Sequence, residues 1–274
     1  MMRFIHRVQR FLRQRRVRKH KIVFSLWQQS IVKMPLLKRY NVSEKVQLRI
    51  LAGEVLRTKR MFGVQGFELT EKMRVMIATQ VAMLLLGLRH PKSGSVLHWV
   101  RNWNQVVVYP TAYHNGQETV FNIRGELQSR EGVNSGETHY QGGIIINWTD
   151  NEPHPLSESA NQVLMHEMAH KFDMLDGDIN GHPPLHSNMS QRAWYQAFSS
   201  AFELFNRQLK GGGYSVFAAF NPYGATNPAE FFAVSTEYFF EAPHVLNRLF
   251  PEVYLQLTLF YRQDPLLKVL SKTS

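Results

Sequence analysis

The 274-residue chain contains no cysteine. This absence excludes disulfide bonds, thiolate metal ligands and a cysteine nucleophile, and it fits a reducing compartment. Long apolar runs are also missing. The longest, at 81–86, is far shorter than the roughly 20 residues that cross a bilayer. The N-terminus lacks the apolar segment of a secretory signal. The sequence therefore predicts a cytoplasmic protein.

Acidic residues are absent from the first 43 positions, which hold twelve Lys or Arg. The rest of the chain holds 20 basic and 21 acidic residues, so the net charge of +11 comes from the N-terminal segment. Four apolar residues within 1–21 recur at helical spacing between arginines: Phe4, Val8, Phe11 and Leu12. Two interpretations stay open: an amphipathic helix in weak contact with a membrane or another anionic surface, or a solvated tail. We expect no direct contact with nucleic acid.

The most informative stretch is His-Glu-Met-Ala-His at 166–170. Two histidines four positions apart lie on one face of a helix, so His166 and His170 can bind the same zinc ion. Glu167 then lies beside the metal, where its carboxylate can take a proton from an activated water. The alternative is an ordinary amphipathic helix with two solvated histidines. The motif favours a metal-dependent hydrolase.

The flanking residues predict the helix that this motif needs. Ser157 or Ser159 can cap its start, and Gly177 can close its end. An apolar stripe at 3-4 spacing marks the face that we expect to be buried: Leu164, Met168, Phe172 and Leu175. The histidines occupy a different, polar face. The pattern thus separates a core-packing face from a ligand face.

A catalytic zinc ion usually takes three protein ligands, and several carboxylates compete for the third position. Glu230 is preferred, because it falls in the first turn of a helix that Asn227 can cap, and two His plus Glu is a common arrangement. Its carboxylate could instead complete a capping box. Asp176 is a weaker candidate, and Glu237 competes from the same helix face as Glu230. Glu237 and Asp173 could alternatively orient the ligand histidines.

Loops contribute one further candidate. Tyr223 lies seven residues before Glu230, in the segment Asn-Pro-Tyr-Gly. A tyrosine hydroxyl near zinc can donate to the oxyanion of a tetrahedral intermediate. On spacing alone, a surface tyrosine in a turn is the alternative. His182 and His186 fall in a Pro/Gly-rich loop, and we expect them to be solvated.

The order of elements predicts an α+β fold that is mostly helical, with a small mixed sheet and an active-site helix carrying the histidine motif. Helical patterns dominate 22–88 and return from Ala193. Strand patterns appear at 105–109 and 142–148. The second strand could offer an open edge to an extended peptide, or be a plain core strand.

This order also suggests how the chain is divided. We expect a basic tail or amphipathic helix at 1–21, a mainly helical part at 22–135 and a zinc-binding catalytic part at 136–274. The last two parts should pack together as one unit.

Several segments together resemble a known family. They are His-Glu-Met-Ala-His-Lys-Phe-Asp at 166–173, Asn-Pro-Tyr-Gly at 221–224 and Asn-Pro-Ala-Glu-Phe-Phe-Ala at 227–233, with Gly-Phe-Glu-Leu-Thr at 66–70 and Val-Val-Val-Tyr-Pro at 106–110. From about Trp27 to near the C-terminus, the chain resembles the Mlc titration factor A family of bacterial zinc metallopeptidases.

The resemblance implies a zincin-like fold in which His166, His170 and Glu230 hold one zinc ion. It implies that Glu167 is the general base and that Tyr223 supports the transition state. It further implies a cytoplasmic peptidase of aminopeptidase type that binds the glucose-responsive transcription repressor Mlc and so modulates glucose-uptake genes. A protein that sequesters a repressor without needing its zinc site is the alternative function.

Overall fold

The computed structural model describes residues 22–89, 94–110, 118–121, 127–130, 143–148, 158–211 and 216–270. The helices in these ranges are α1 (Phe24–Ile31), α2 (Val42–Thr58), α3 (Glu71–Leu85), α4 (Glu158–Asp173), α5 (Gln191–Lys210), α6 (Pro228–Glu241), α7 (Pro243–Leu249), α8 (Pro251–Tyr261) and α9 (Pro265–Leu270). The strands are β1 (Arg60–Gly63), β2 (Gln105–Tyr109), β3 (Glu118–Phe121), β4 (Leu127–Arg130) and β5 (Ile144–Asn147).

Some predictions fall outside these ranges. The proposed amphipathic helix at 1–21, the capping Ser157 and the division at residue 135 all lie beyond the described residues, and the domain division stays a prediction. Within the described parts of the chain, no helix is long and apolar enough to cross a membrane.

Three strands form a parallel sheet in the order β1–β2–β5. Val106 of β2 pairs with Met61 on one side and Ile144 on the other. β3 and β4 pair antiparallel with each other as a separate two-stranded sheet. The prediction of one mixed sheet is therefore wrong for the described strands. The chain passes from β1 to β2 through α3, and such a crossover permits the parallel pairing that a short hairpin does not.

Helix α3 is the central element of the N-terminal half. It is buried along almost its whole length, as its nearly continuous apolar sequence predicts. Thr70 caps its start, accepting a hydrogen bond from the backbone N–H of Met73 at 3.2 Å. α3 packs against α1 and α2 and also against α4, which carries the histidine motif. β5 packs on α4 as well, so sheet and helices together position the motif.

An aromatic cluster fills the space behind the motif helix. Phe172 of α4 contacts Phe260 and Trp99 with ring centroids 6.4 and 5.9 Å apart. His186 belongs to this cluster: it is buried, and its Nε2 lies 2.8 Å from the carbonyl oxygen of Phe260. The expectation that His186 is solvated is therefore wrong. Its loop folds back onto the core, where the carbonyl satisfies the ring nitrogen.

Candidate metal centre

The helix predicted for the histidine motif is present. α4 ends at Asp173 and continues as a 3-10 turn over Met174–Asp176. Gly177 follows with φ of 108°, a left-handed conformation that suits glycine and closes the helix as predicted. The helix begins at Glu158, so Ser159 lies inside it and does not cap it. The apolar stripe is buried: Leu164, Met168, Phe172 and Leu175.

The second helix at the site is α6, which packs against α4. Asn227 caps it, because its Oδ1 accepts the backbone N–H of Glu230 at 2.9 Å, and Pro228 begins the first turn. This start carries the Glu230 side chain towards α4. One carboxylate oxygen lies 2.8 Å from Nε2 of His166 and 3.3 Å from Nε2 of His170. Local capping thus sets the position of a long-range contact.

His166, His170 and Glu230 form a compact triangle of possible metal ligands. The two Nε2 atoms are 3.1 Å apart, and each faces Oε2 of Glu230. Around a tetrahedral zinc ion with bonds of about 2.1 Å, ligand atoms stand roughly 3.4 Å apart. Small side-chain shifts would therefore open the triangle to the size of such an ion. The donor set, two imidazoles and one carboxylate, fits a metal site.

Glu237 lies two turns further along α6 and contacts the other side of the His166 ring. Nδ1 of His166 lies 2.6 Å from Oε1 of Glu237. A hydrogen bond donated by Nδ1 to Glu237 keeps a proton on that nitrogen, so Nε2, which faces Glu230, is the atom that can exchange its own proton for a metal ion. Glu237 is thus placed to orient a candidate ligand, whereas Glu230 completes the triangle. Asp176 is exposed and lies outside this group.

The site concentrates opposite charges in a largely buried place. Burial lowers the pKa of His166, but hydrogen bonds to Glu230 and Glu237 outweigh this effect and raise it to about 9. Burial raises the pKa of Glu230, but its contacts with the two histidines bring it down to about 2. Burial also raises the pKa of Glu237, against the opposing effect of His166. The carboxylates therefore favour a positive charge at the triangle, which a metal ion can supply in place of a proton.

Glu167 and Tyr223 are both neighbours of His166, Glu167 along the chain and Tyr223 in space. Glu167 follows His166 on α4 and is partly buried. Tyr223 lies in the 3-10 turn Pro222–Ala225, where Asn221 accepts its backbone N–H at 3.0 Å. Its ring centroid is 5.8 Å from that of His166, and the residue is 52% exposed. The tyrosine therefore lies at the rim of the site, between a ligand candidate and solvent.

Asp173, at the end of α4, holds a loop against the start of α6. Its carboxylate is fully buried and accepts the backbone N–H groups of Gly181 at 2.7 Å and His182 at 2.8 Å. Burial raises the pKa of Asp173 to about 6, although the two backbone hydrogen bonds oppose the shift. Gly181 has φ of 78°, and a Cβ there would lie 2.4 Å from the carbonyl oxygen of Pro228.

Sequence patterns did not single out Gly181 as part of this arrangement. A glycine in a polar loop shows only that the backbone is free to turn. It does not show which distant backbone will approach it. The loop therefore links the histidine helix to the helix of Glu230 through contacts that no local spacing reveals.

Two histidines from one helix and a carboxylate from a second form a candidate metal site of the kind that metallopeptidases use. The chain belongs to the glucose-regulated metallo-peptidase M90 family, whose profile matches residues 8–262. It is 32% identical over 244 residues to proteins named Mlc titration factor A from Yersinia pestis (strain Pestoides F) and Yersinia pseudotuberculosis (serotype O:1b, strain IP 31758). The matches cover 89% of this chain and 86% of each relative. The family expected from the motifs is confirmed.

We expect Asp173→Ala to weaken the metal site although Asp173 is outside the ligand triangle. The change leaves the backbone N–H of Gly181 without its acceptor, leaves that of His182 with Oδ1 of Asn180 alone, and frees the loop that abuts Pro228. We expect a loss of about 2–4 kcal/mol in the free energy of unfolding, together with a lower bound-metal content. Denaturant unfolding and metal analysis of the purified protein measure the two effects.

Asp176→Ala is the matched control, because Asp176 is exposed at the same helix end. It should change stability by less than about 0.5 kcal/mol and keep its metal. Wild-type stability in Asp173→Ala would contradict the role of the carboxylate. Metal loss in Asp176→Ala would restore Asp176 as a ligand.

Proposed function

We propose that the protein is a zinc-dependent peptidase, and that its specificity is of the aminopeptidase type that the family resemblance implies. The observation that carries the proposal is the triangle of His166, His170 and Glu230, whose ligand atoms lie 2.8–3.3 Å apart. Nitrogen and oxygen donors of this kind suit zinc. Three protein ligands leave a coordination position for water or substrate, which is typical of catalytic rather than structural sites.

The side chains around the triangle support a division of labour. Zinc bound there supplies a Lewis acid that makes water a nucleophile near neutral pH. The carboxylate of Glu167 accepts a proton from the attacking water and returns it to the amine that leaves. The hydroxyl of Tyr223 donates a hydrogen bond to the carbonyl oxygen as negative charge develops on it. Glu237 holds the His166 ring in the required tautomer.

Glu167→Gln is expected to abolish hydrolysis while leaving metal binding intact. The amide cannot accept the proton of the attacking water, and loss of a general base costs about 10²–10⁴ in rate. Glu230→Gln should instead lower the metal content, because it removes an anionic ligand. Hydrolysis of a peptide library and metal analysis, run on the same preparations, separate the two effects.

Glu203→Gln is a matched control for both variants, since Glu203 lies exposed on α5. It should keep activity and metal. Wild-type activity in clean Glu167→Gln protein would contradict the proposed base. Full metal content in Glu230→Gln would contradict the proposed third ligand.

Tyr223→Phe is expected to lower kcat by about 10²-fold with little change in KM. The phenol is proposed to act on charge that develops only in the transition state, so substrate binding should be spared. Steady-state kinetics on one peptide substrate measure both constants. Tyr195→Phe, at a tyrosine on α5 that is 67% exposed, is the control and should match wild type. An unchanged kcat in Tyr223→Phe would show that Tyr223 is a surface residue of its turn without a catalytic role.

We also propose that the protein binds the transcription repressor Mlc in the cytoplasm and so modulates glucose-uptake genes. The name of the relatives, Mlc titration factor A, supports this proposal. The alternative is that sequestering the repressor is the main role and that zinc is not needed for it. The two functions can reside in one chain, because a repressor-binding surface need not include the triangle.

Repressor capture should survive Glu167→Gln, because that change alters one proton acceptor and leaves the surface intact. Pull-down of purified Mlc by wild type, Glu167→Gln and Glu230→Gln measures it. Capture by all three supports the alternative function, in which the metal is dispensable. Capture lost only with Glu230→Gln ties binding to the metal site. No capture by wild type would contradict Mlc binding.

A further inference from the structure

Helix α2 is apolar on two faces. Leu48, Ala52 and Val55 are fully buried on the inner face, where α2 packs against α3. On the outer face, an apolar stripe at i, i+4 and i+8 is exposed to solvent by 81%, 49% and 44%: Val42, Val46 and Ile50. A surface helix normally turns polar side chains outward. The stripe is therefore a feature that packing among the described residues does not explain.

The same side of the molecule continues onto α1. Phe24 is 59% exposed, and its ring centroid lies 5.3 Å from Cζ of Arg49, which joins the first turn of α1 to the middle of α2. Residues 22–32 include no charged side chain. We call the set Phe24, Val42, Val46 and Ile50 the α1–α2 face. It combines branched and aromatic side chains with the guanidinium of Arg49, which lies against the ring of Phe24.

The part of the sequence that forms the α1–α2 face is rich in cations. Residues 22–53 hold five Lys or Arg and a single acid, Glu44. That acid is already engaged: Oε1 lies 2.7 Å from Nζ of Lys268, and Oε2 accepts the backbone N–H of Asn41 at 2.9 Å. Residues 1–21, which precede the face directly, add nine Lys or Arg and no acid. The remaining 54–274 hold eighteen basic and twenty acidic residues.

We propose that the α1–α2 face binds the surface of an anionic lipid bilayer. The four apolar side chains enter the headgroup region, and Lys45, Arg49 and the N-terminal cations attract the lipid phosphates. Peripheral binding of this kind needs both contributions, buried apolar area and electrostatic attraction. The four exposed side chains supply the apolar area, and the cations in residues 1–53 of the sequence supply the electrostatic attraction.

Other possible partners for the α1–α2 face do not match both its apolar side chains and its positive charge. A second copy docked through the same face would bring like charges together around Arg49, which disfavours association. Residues 1–21 would place nine further cations against a cationic rim. Nucleic acid would neutralise the charge but would offer no apolar partner for Val42, Val46 and Ile50. An anionic bilayer provides both an apolar interior and negative headgroups.

The test is co-sedimentation of the full-length chain with lipid vesicles. We expect binding to vesicles of phosphatidylcholine with phosphatidylglycerol, none to phosphatidylcholine alone, and weaker binding as NaCl rises from about 0.1 M to about 0.5 M. The combined replacement Val42→Ser, Val46→Ser and Ile50→Ser should weaken partitioning by about tenfold or more, because it removes the apolar contribution. Its unfolding transition should match wild type, since all three side chains are exposed.

The matched control is the pair Leu255→Ser and Leu259→Ser, at the same spacing on α8 and exposed by 49% and 43%. It should bind vesicles like wild type. Equal binding by wild type and the triple variant would overturn the proposal, as would equal weakening in the control. A dimer in light scattering that only the triple variant disrupts, without vesicle binding, would make a second copy the occupant. Binding to duplex DNA in place of vesicles would make nucleic acid the partner.

Discussion

The contact between α4 and α6 is the constraint on which the candidate site depends. Both helices bury apolar faces, and charged groups at their interface are stable only when they are paired. The His166–Glu230 and His166–Glu237 contacts, at 2.8 and 2.6 Å, satisfy both nitrogens of one ring with carboxylates from the neighbouring helix. The 63 residues between His166 and Glu230 must therefore fold so that the ligand faces of the two helices meet. An ion within the triangle would strengthen a pairing that packing already imposes.

Residues outside the triangle fix the position of α6 relative to α4. Asp173 ends the histidine helix, and its buried carboxylate fixes the loop in which Gly181 approaches Pro228, two residues before Glu230. The indole N–H of Trp194 on α5 donates to the carbonyl oxygen of Gly181 at 3.1 Å, so a third helix grips the same loop. Metal-binding side chains need such support, because a shift of about 1 Å in one ligand spoils the geometry. Burying the Asp173 carboxylate costs free energy, which its two hydrogen bonds offset. The same hydrogen bonds fix the loop that meets the start of α6.

What could be predicted from the sequence is what depends on spacing within a single element. The pair His166 and His170 and the cap at Asn227 follow from helical periodicity and end chemistry alone. The choice between Glu230 and Glu237 is different, because seven residues of helix separate them by roughly 10 Å along the axis and only the approach of α4 decides which one completes the triangle. The parallel sheet and the burial of His186 also depend on contacts far apart in sequence. A local pattern shows which residues are able to make such a contact, but not which distant residue they will meet.

The distribution of charge gives the two ends of the chain different physical roles. The triangle lies on α4 and α6, in the part of the chain where acidic and basic residues nearly balance, whereas the α1–α2 face lies where cations exceed acids by thirteen over residues 1–53. Helix α3 packs against both regions and is itself buried and nearly apolar. Charges exposed to solvent are screened within about 10 Å at ordinary salt, so the exposed cations of the α1–α2 face act only weakly on groups beyond α3. Binding at the α1–α2 face can therefore determine where the protein resides without changing the pKa values of the residues in the candidate metal site.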